Sequence, residues 1–134
     1  LPIEYPAVAD IDIIMALRQA AKELKHKNHI GVVQCKDSFY GQHSPKRMPV
    51  SYELENKWQA WIKGGALASE METASLYITS SVLRLHAAAV LLVVWNQERE
   101  NAGLDNTTNF DTNDAIVVAI RAIKILIRES KKNG

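Results

Sequence analysis

The sequence predicts an α/β chain with central strands flanked by helices. Two runs rich in β-branched and aliphatic residues, 30–35 and 87–94, read as buried strands. Segments with apolar residues three or four apart separate and enclose them. A shorter extended piece around Ala66-Leu67-Ala68 leads into a further helix. The order is α, β, α, short β, α, β, α, which calls for crossover helices between strands.

The first helix is expected over 7–25. Pro6 stands near its start, and Asp10 and Asp12 fall in the first turn, where negative charge is favoured. Ile14, Leu17, Ala21 and Leu24 then recur at helical spacing. The polar stretch from Lys25 to His29 turns the chain into the strand Ile30-Gly31-Val32-Val33-Gln34-Cys35. That strand opens into a polar loop, 36–45, with two aromatic residues. Open α/β sheets hold ligands on loops at the carboxyl ends of their strands. A helix follows over Ser51 to Lys63, with Leu54, Trp58 and Trp61 on one face and Gly64-Gly65 as its stop. Another helix covers about 71–84. Ala87 to Val94 is apolar on both faces, as a central strand is. An Asn-rich loop over 96–109 leads to the last helix, 112–131, which aligns Ile116, Ile120, Ile123 and Ile127. So few strands leave edges unpaired, and such edges call for more strands from elsewhere.

The 134 residues suit one domain or part of a larger one. A net charge of +1 without a basic stripe or acidic tail argues against nucleic acid and a membrane surface. The single cysteine, Cys35, fits a reducing, cytoplasmic setting and reads as a small buried hydrophobe. The longest apolar run is less than half the roughly 20 residues that a membrane helix needs. The opening Leu1-Pro2-Ile3-Glu4-Tyr5-Pro6 has no leader-like pattern and reads like the interior of a longer protein.

Several chemistries find no motif. His26-x-x-His29 has ligand-like spacing but no second pair, so it reads as a surface turn and no metal site is expected. His86 reads as structural. No phosphate loop, dinucleotide fingerprint or nucleophile elbow is present, and no catalytic residue is assigned. Two segments remain. In the loop after the first strand, Phe39 and Tyr40 suit either core anchoring or stacking on a planar ring. Gln42 carries an amide that donates and accepts, matching adjacent N–H and C=O groups of a cyclic imide. Lys36 and His43 are candidate donors to a ring carbonyl. In Ser69-Glu70-Met71-Glu72, Glu72 suits either a capping box reaching back to the Ser69 N–H or the grip of a sugar diol.

Three motifs in order resemble the C-terminal half of the uridine phosphorylase family, within the nucleoside phosphorylase-I group. Glu4-Tyr5-Pro6-Ala7-Val8-Ala9-Asp10 is similar to the family's entry into a helix. Val32 to Gln42 is similar to its base-binding loop, and Ser69-Glu70-Met71-Glu72-Thr73-Ala74 to its ribose-binding segment. The resemblance implies a mixed-sheet, three-layer fold of the phosphorylase/hydrolase type. It implies that Phe39 stacks on a pyrimidine, Gln42 pairs with the uracil edge, Met71 packs under the ribose, Glu72 holds its hydroxyls and Glu70 supports that turn. The implied reaction is phosphorolysis of uridine to uracil and ribose 1-phosphate, with inorganic phosphate as co-substrate and no cofactor. Many members place an arginine two residues after the loop glutamine; Ser44 stands there, so Lys36 and His43 become the candidate donors, with Arg47 more remote. Purine-processing members carry an aspartate where Asn96 stands, which favours a pyrimidine.

The family binds phosphate through its N-terminal half. Residues 1–134 are therefore expected to form the C-terminal part of a single phosphorylase domain, with no phosphate-binding residues of their own. Expected partners are a pyrimidine nucleoside, phosphate, and further copies in a homo-oligomer or a complementing N-terminal half. The alternatives are a nucleosidase that uses water and a non-catalytic fragment that pairs with a partner chain.

Overall fold

The computed structural model describes residues 1–133. In chain order the elements are α1 (Ile11–Glu23), β1 (Val33–Cys35), α2 (Phe39–His43), a 3-10 turn (Pro45–Arg47), α3 (Ser51–Lys63), β2 (Ala68–Glu70), α4 (Thr73–Val82), α5 (Gln97–Asn101) and α6 (Asn113–Asn133). They fall into two compact units. One is drawn from Leu1–Asn28 and the chain from Ala74 onward, the other is His29–Thr73.

The first unit is built on α1 against α6. Asp10 caps α1, its Oδ1 accepting the Asp12 and Ile13 N–H groups at 3.0 Å each. The helix therefore starts at Ile11 rather than at residue 7: the residue expected in the first turn is the cap in front of it. Ala16, Ala20 and Ala21 are buried against Val118, Ala122 and Ile125, with Leu17, Leu24 and Leu126 closing the edges. Short alanine side chains let two helix backbones approach closely. Arg121 Nε donates to Glu23 Oε2 at 2.6 Å along the same seam. The isoleucine stripe expected to face the core lies outside it: Ile116, Ile120, Ile123 and Ile127 are 50%, 49%, 56% and 51% exposed. Two stripes on α6 share the helical period, and α1 covers the one that carries Ala122.

The central strand expected over 87–94 does not form. Its backbone is tied at its ends, where Asp10 N–H donates to the Ala87 carbonyl at 2.8 Å and Asn109 N–H to the Val94 carbonyl at 3.0 Å. A strand exists through a hydrogen-bonded neighbour, and among the described residues β1 and β2 pair only with each other. The loop expected over 96–109 contains α5, capped by Asn96, whose Oδ1 accepts the Arg99 N–H at 3.0 Å. No helix of the described residues is long and apolar enough to cross a membrane.

The second unit contains the parallel pair. Val33, Gln34 and Cys35 of β1 stand opposite Ala68, Ser69 and Glu70 of β2. Leu67 N–H to the Val32 carbonyl at 2.8 Å and Lys36 N–H to the Glu70 carbonyl at 2.9 Å extend the ladder at both ends. Both strands are shorter or later than the sequence predicts: 33–35 instead of 30–35, and 68–70 instead of 66–68. Each spans only the residues that have a partner. The helix α3 has its expected limits and ends at Gly64, followed by Gly65 at φ +80°. Its expected face is only half realised, since Leu54 and Trp58 are half-buried and Trp61 is exposed.

Candidate functional site

The site lies within the second unit, where β1 and β2 end side by side. Parallel pairing puts both carboxyl ends at the same edge, so the segment after Cys35 and the segment after Glu70 meet there. Every sequence-predicted site residue falls on these two segments: Lys36, Phe39, Gln42 and His43 on one, Glu70, Met71 and Glu72 on the other.

The first segment is not a loop throughout. Ser38 caps the short helix α2, its Oγ accepting the Gly41 N–H at 3.0 Å. Gly41 leaves room for this cap, since an added Cβ would lie 3.1 Å from both the Cβ and the Oγ of Ser38 and would press on the capping side chain. This turn puts Phe39 and His43 one helical turn apart, with ring centroids 4.2 Å apart. Tyr40 meets Phe39 edge-on at 5.4 Å. Phe39 is 51% and Tyr40 59% exposed, so neither anchors a core. Exposed aromatics beside polar groups offer a stacking face. Lys36 Nζ lies 6.0 Å from the Phe39 ring centroid, and the Arg47 guanidinium is 6.0 Å from the ring of Tyr40.

The second segment is organised by Glu70. Its Oε2 accepts the Glu72 and Thr73 N–H groups, each at 2.7 Å, and its Oε1 accepts the Thr73 hydroxyl at 2.6 Å. These bonds start α4 at the buried Thr73. The capping box expected between Ser69 and Glu72 is therefore not the one that forms. The carboxylate that satisfies the first-turn donors is Glu70, while Glu72 Oε2 accepts the Met71 N–H at 3.2 Å. The cap shortens the predicted helix from 71–84 to Thr73–Val82 and leaves Met71 and Glu72 in an exposed turn. Burial works to raise the Glu70 carboxyl. Hydrogen bonds from the Thr73 hydroxyl, the Glu72 and Thr73 N–H groups and the half-buried Cys35 thiol outweigh it and leave the carboxyl below its usual range.

A side-chain network joins the two segments. Lys36 Nζ donates to Ser69 Oγ at 3.1 Å. The Ser69 hydroxyl lies 2.6 Å from Gln34 Oε1 and 2.7 Å from Gln42 Oε1. Burial lowers the Lys36 ammonium, against the opposing pull of Glu70, Glu72 and Cys35. Nothing in the residue pattern singles out Gln34, and Ser69 reads there only as part of a cap. The signal was the strand register: once β1 and β2 run parallel, Gln34 stands opposite Ser69.

Outside this unit, Asn96 is the α5 cap described above. His26 Nδ1 lies 3.4 Å from Asp114, and His86 Nδ1 pairs with Asp10. Among the described residues no group of three His, Cys, Asp or Glu side chains is placed to hold a metal ion.

The profile of the phosphorylase superfamily matches residues 1–129. The chain belongs to the phosphorylase superfamily. It is 51% identical over 128 residues to a uridine phosphorylase of Treponema pallidum, covering 96% of this chain and 50% of that protein. It is 32% identical over 126 residues to a uridine phosphorylase of Thermococcus kodakarensis, covering 92% of this chain and 44% of the relative. It is 29% identical over 129 residues to that of Escherichia coli, covering 94% and 51%. This superfamily chain thus spans about half the length of the curated relatives it matches.

Proposed function

We propose that this site holds a pyrimidine nucleoside, and that the complete protein converts uridine and phosphate into uracil and ribose 1-phosphate. The observation that carries the proposal is the meeting of the Gln42 segment and the Glu70-Met71-Glu72 turn at one edge of a parallel strand pair, joined through Ser69. The names of the relatives support the same substrate and favour phosphorolysis over hydrolysis by water.

Cleavage of the N-glycosidic bond leaves positive charge on the sugar and sends the bonding electrons to the base. A phosphate oxygen then bonds to the anomeric carbon. Phe39 stacks on the pyrimidine and Gln42 pairs with its imide edge. Lys36 and His43 donate to a ring carbonyl, where negative charge accumulates as the base departs. Met71 packs under the ribose. Glu72 accepts hydrogen bonds from its hydroxyls, bonds that strengthen as the ring gains positive charge. Glu70 fixes the turn that carries both residues. Asn96 cannot serve as an acid for a purine ring, so the preference is for a pyrimidine.

Residues 1–134 then form the C-terminal part of one nucleoside phosphorylase domain. The rest of that domain supplies the phosphate-binding groups and the strands that complete a mixed, three-layer sheet. The protein acts in the cytoplasm as a homo-oligomer, with phosphate as co-substrate and no metal. The test is uracil release from uridine by the full-length protein with and without phosphate. Release is expected to depend on phosphate and to fall at least about 100-fold in Glu72→Ala, the scale of losing a charged contact that tightens in the transition state. Equal rates without phosphate, or an unchanged rate in Glu72→Ala, contradict the proposal.

A further inference from the structure

Thr73 is buried, 5% exposed, where the exposed turn enters α4. Its hydroxyl donates to Glu70 Oε1 at 2.6 Å, and its N–H donates to Glu70 Oε2 at 2.7 Å. An ionised carboxylate only accepts, so the hydroxyl proton has a single direction here. These bonds assign the two oxygens of Glu70 to different work. The hydroxyl holds Oε1, and Oε2 takes the Thr73 and Glu72 N–H groups together. The last torsion of a glutamate is broad and two-fold, so a carboxylate held at one oxygen alone can turn.

Donors separate the two glutamates. Two N–H groups, the Thr73 hydroxyl and the Cys35 thiol all donate to Glu70. A carboxylate offers about four lone-pair sites, so Glu70 has none left for a sugar hydroxyl. Glu72 accepts the Met71 N–H at 3.2 Å and lies exposed, with acceptor sites to spare for a diol. Its own N–H on Glu70 Oε2 ties it to the end of β2. That tie holds only while the Glu70 carboxylate stays in place, and Thr73 keeps it there.

We propose that Thr73 is a positioning residue for the sugar, whose buried hydroxyl anchors the Glu70 carboxylate so that Glu70 holds the Glu72 backbone where its side chain meets the ribose diol. The proposal rests on Glu72 gripping the sugar. A group that contacts a reacting substrate must be held closely, since a misplacement of about 1 Å can cost about 100-fold in rate. Thr73 touches no part of the substrate and acts through Glu70 and Glu72.

The test compares Thr73→Val and Thr73→Ser with the unaltered full-length protein, measuring kcat/KM for uridine with phosphate and the inhibition constant of free uracil, which has no sugar. Thr73→Val keeps the shape and removes the hydroxyl. It is expected to lower kcat/KM about tenfold, the scale of one lost bond to a charged group, and to leave the uracil constant within about threefold. Thr73→Ser keeps the hydroxyl and is expected to stay within about threefold on both. Beside Glu72→Gln, Thr73→Val is expected to add less than about threefold, because residues acting as one unit are not additive. Equal losses in cleavage and uracil binding, a full further loss beside Glu72→Gln, or a loss in Thr73→Ser as large as in Thr73→Val reduce Thr73 to support of the fold and overturn the proposal. If Glu72→Gln itself leaves uridine cleavage unchanged, the sugar grip is wrong and this proposal falls with it. An unchanged kcat/KM in Thr73→Val beside a loss in Glu72→Gln overturns the role of Thr73 alone.

Discussion

Two segments with strand-like sequence meet different fates. Val33–Cys35 pairs with Ala68–Glu70 and ends in a dense polar network. Residues 87–94 are the more apolar, yet they run without a strand partner, with Val90, Leu91 and Val93 36%, 44% and 66% exposed. Apolar character did not decide between them. Backbone N–H and C=O groups need partners, and only the first segment has a second strand within reach among the described residues. The paired segment is also the one that carries candidate chemistry, because pairing aligns two carboxyl ends and the turns that follow them.

The sharpest way to break this contrast is proline. Leu67→Pro removes the N–H that bonds the Val32 carbonyl at 2.8 Å and opens the ladder at its start. An expected cost of about 2 kcal/mol or more follows from losing a ladder donor and leaving its acceptor unsatisfied. Val93→Pro touches a residue that is 66% exposed and is expected to cost under about 0.5 kcal/mol, as exposed positions do. Urea denaturation of both variants measures the difference, and equal midpoints would erase the distinction between the segments.

A smaller effect sits at the carboxyl end of β2. Glu70→Ala takes the acceptor from two backbone N–H groups and the Thr73 hydroxyl, at an expected cost of about 1 to 2 kcal/mol, the scale of a helix cap. The Glu70 carboxyl is depressed in the folded chain, so its stabilisation is complete above the ordinary glutamate value of 4.5. It is lost as pH falls through the lower folded value. The stability gap between the unaltered chain and Glu70→Gln should therefore close on acidification. A gap that widens toward low pH contradicts the cap.

The smallest effect belongs to the unpaired segment. Asp10 holds its start twice, through its N–H to the Ala87 carbonyl and its carboxylate to His86. The hydrogen bond and charge of Asp10 raise the His86 imidazole, and the hydrogen bond from His86 helps hold the Asp10 carboxyl down. The contribution of His86 is present below its ordinary value of 6.5 and disappears as pH rises through its raised folded value. NMR titration should show His86 titrating above its value in the unfolded chain, and Asp10→Asn should bring it back. No response of His86 to Asp10→Asn removes the anchor.

Residue types and spacing alone left Phe39, Tyr40 and Glu72 open between structural and binding roles, and the resemblance of the two motifs is what singled out the candidate site. Phe39 and Gln42 are brought to one turn, and Met71 and Glu72 to the other. The resemblance gave Glu70 to the turn and Glu72 to the sugar, but the residue pattern placed the helix cap on Glu72, because either carboxylate can reach first-turn donors, and the cap that forms is Glu70. Ser69 as a hub was invisible until the register set Gln34 opposite it. The four longer helices were legible to within about four residues at each end, with α3 matched at both, whereas the short helices α2 and α5 lie in segments that read as loops. The buried stripe of α6 was not, because a period of 3.6 cannot choose between neighbouring apolar stripes. The pattern at 87–94 predicts a strand that does not form for a related reason: sequence pattern records burial tendency, and pairing needs a neighbour that the pattern does not contain.

The central claim is that a nucleoside binds where the two paired strands end. Hydrogen exchange of the full-length protein with and without uridine and phosphate tests it most directly. Binding at this edge predicts slowed exchange in both 36–43 and 69–73. Saturating uridine that leaves both segments unchanged, while slowing exchange elsewhere, contradicts it.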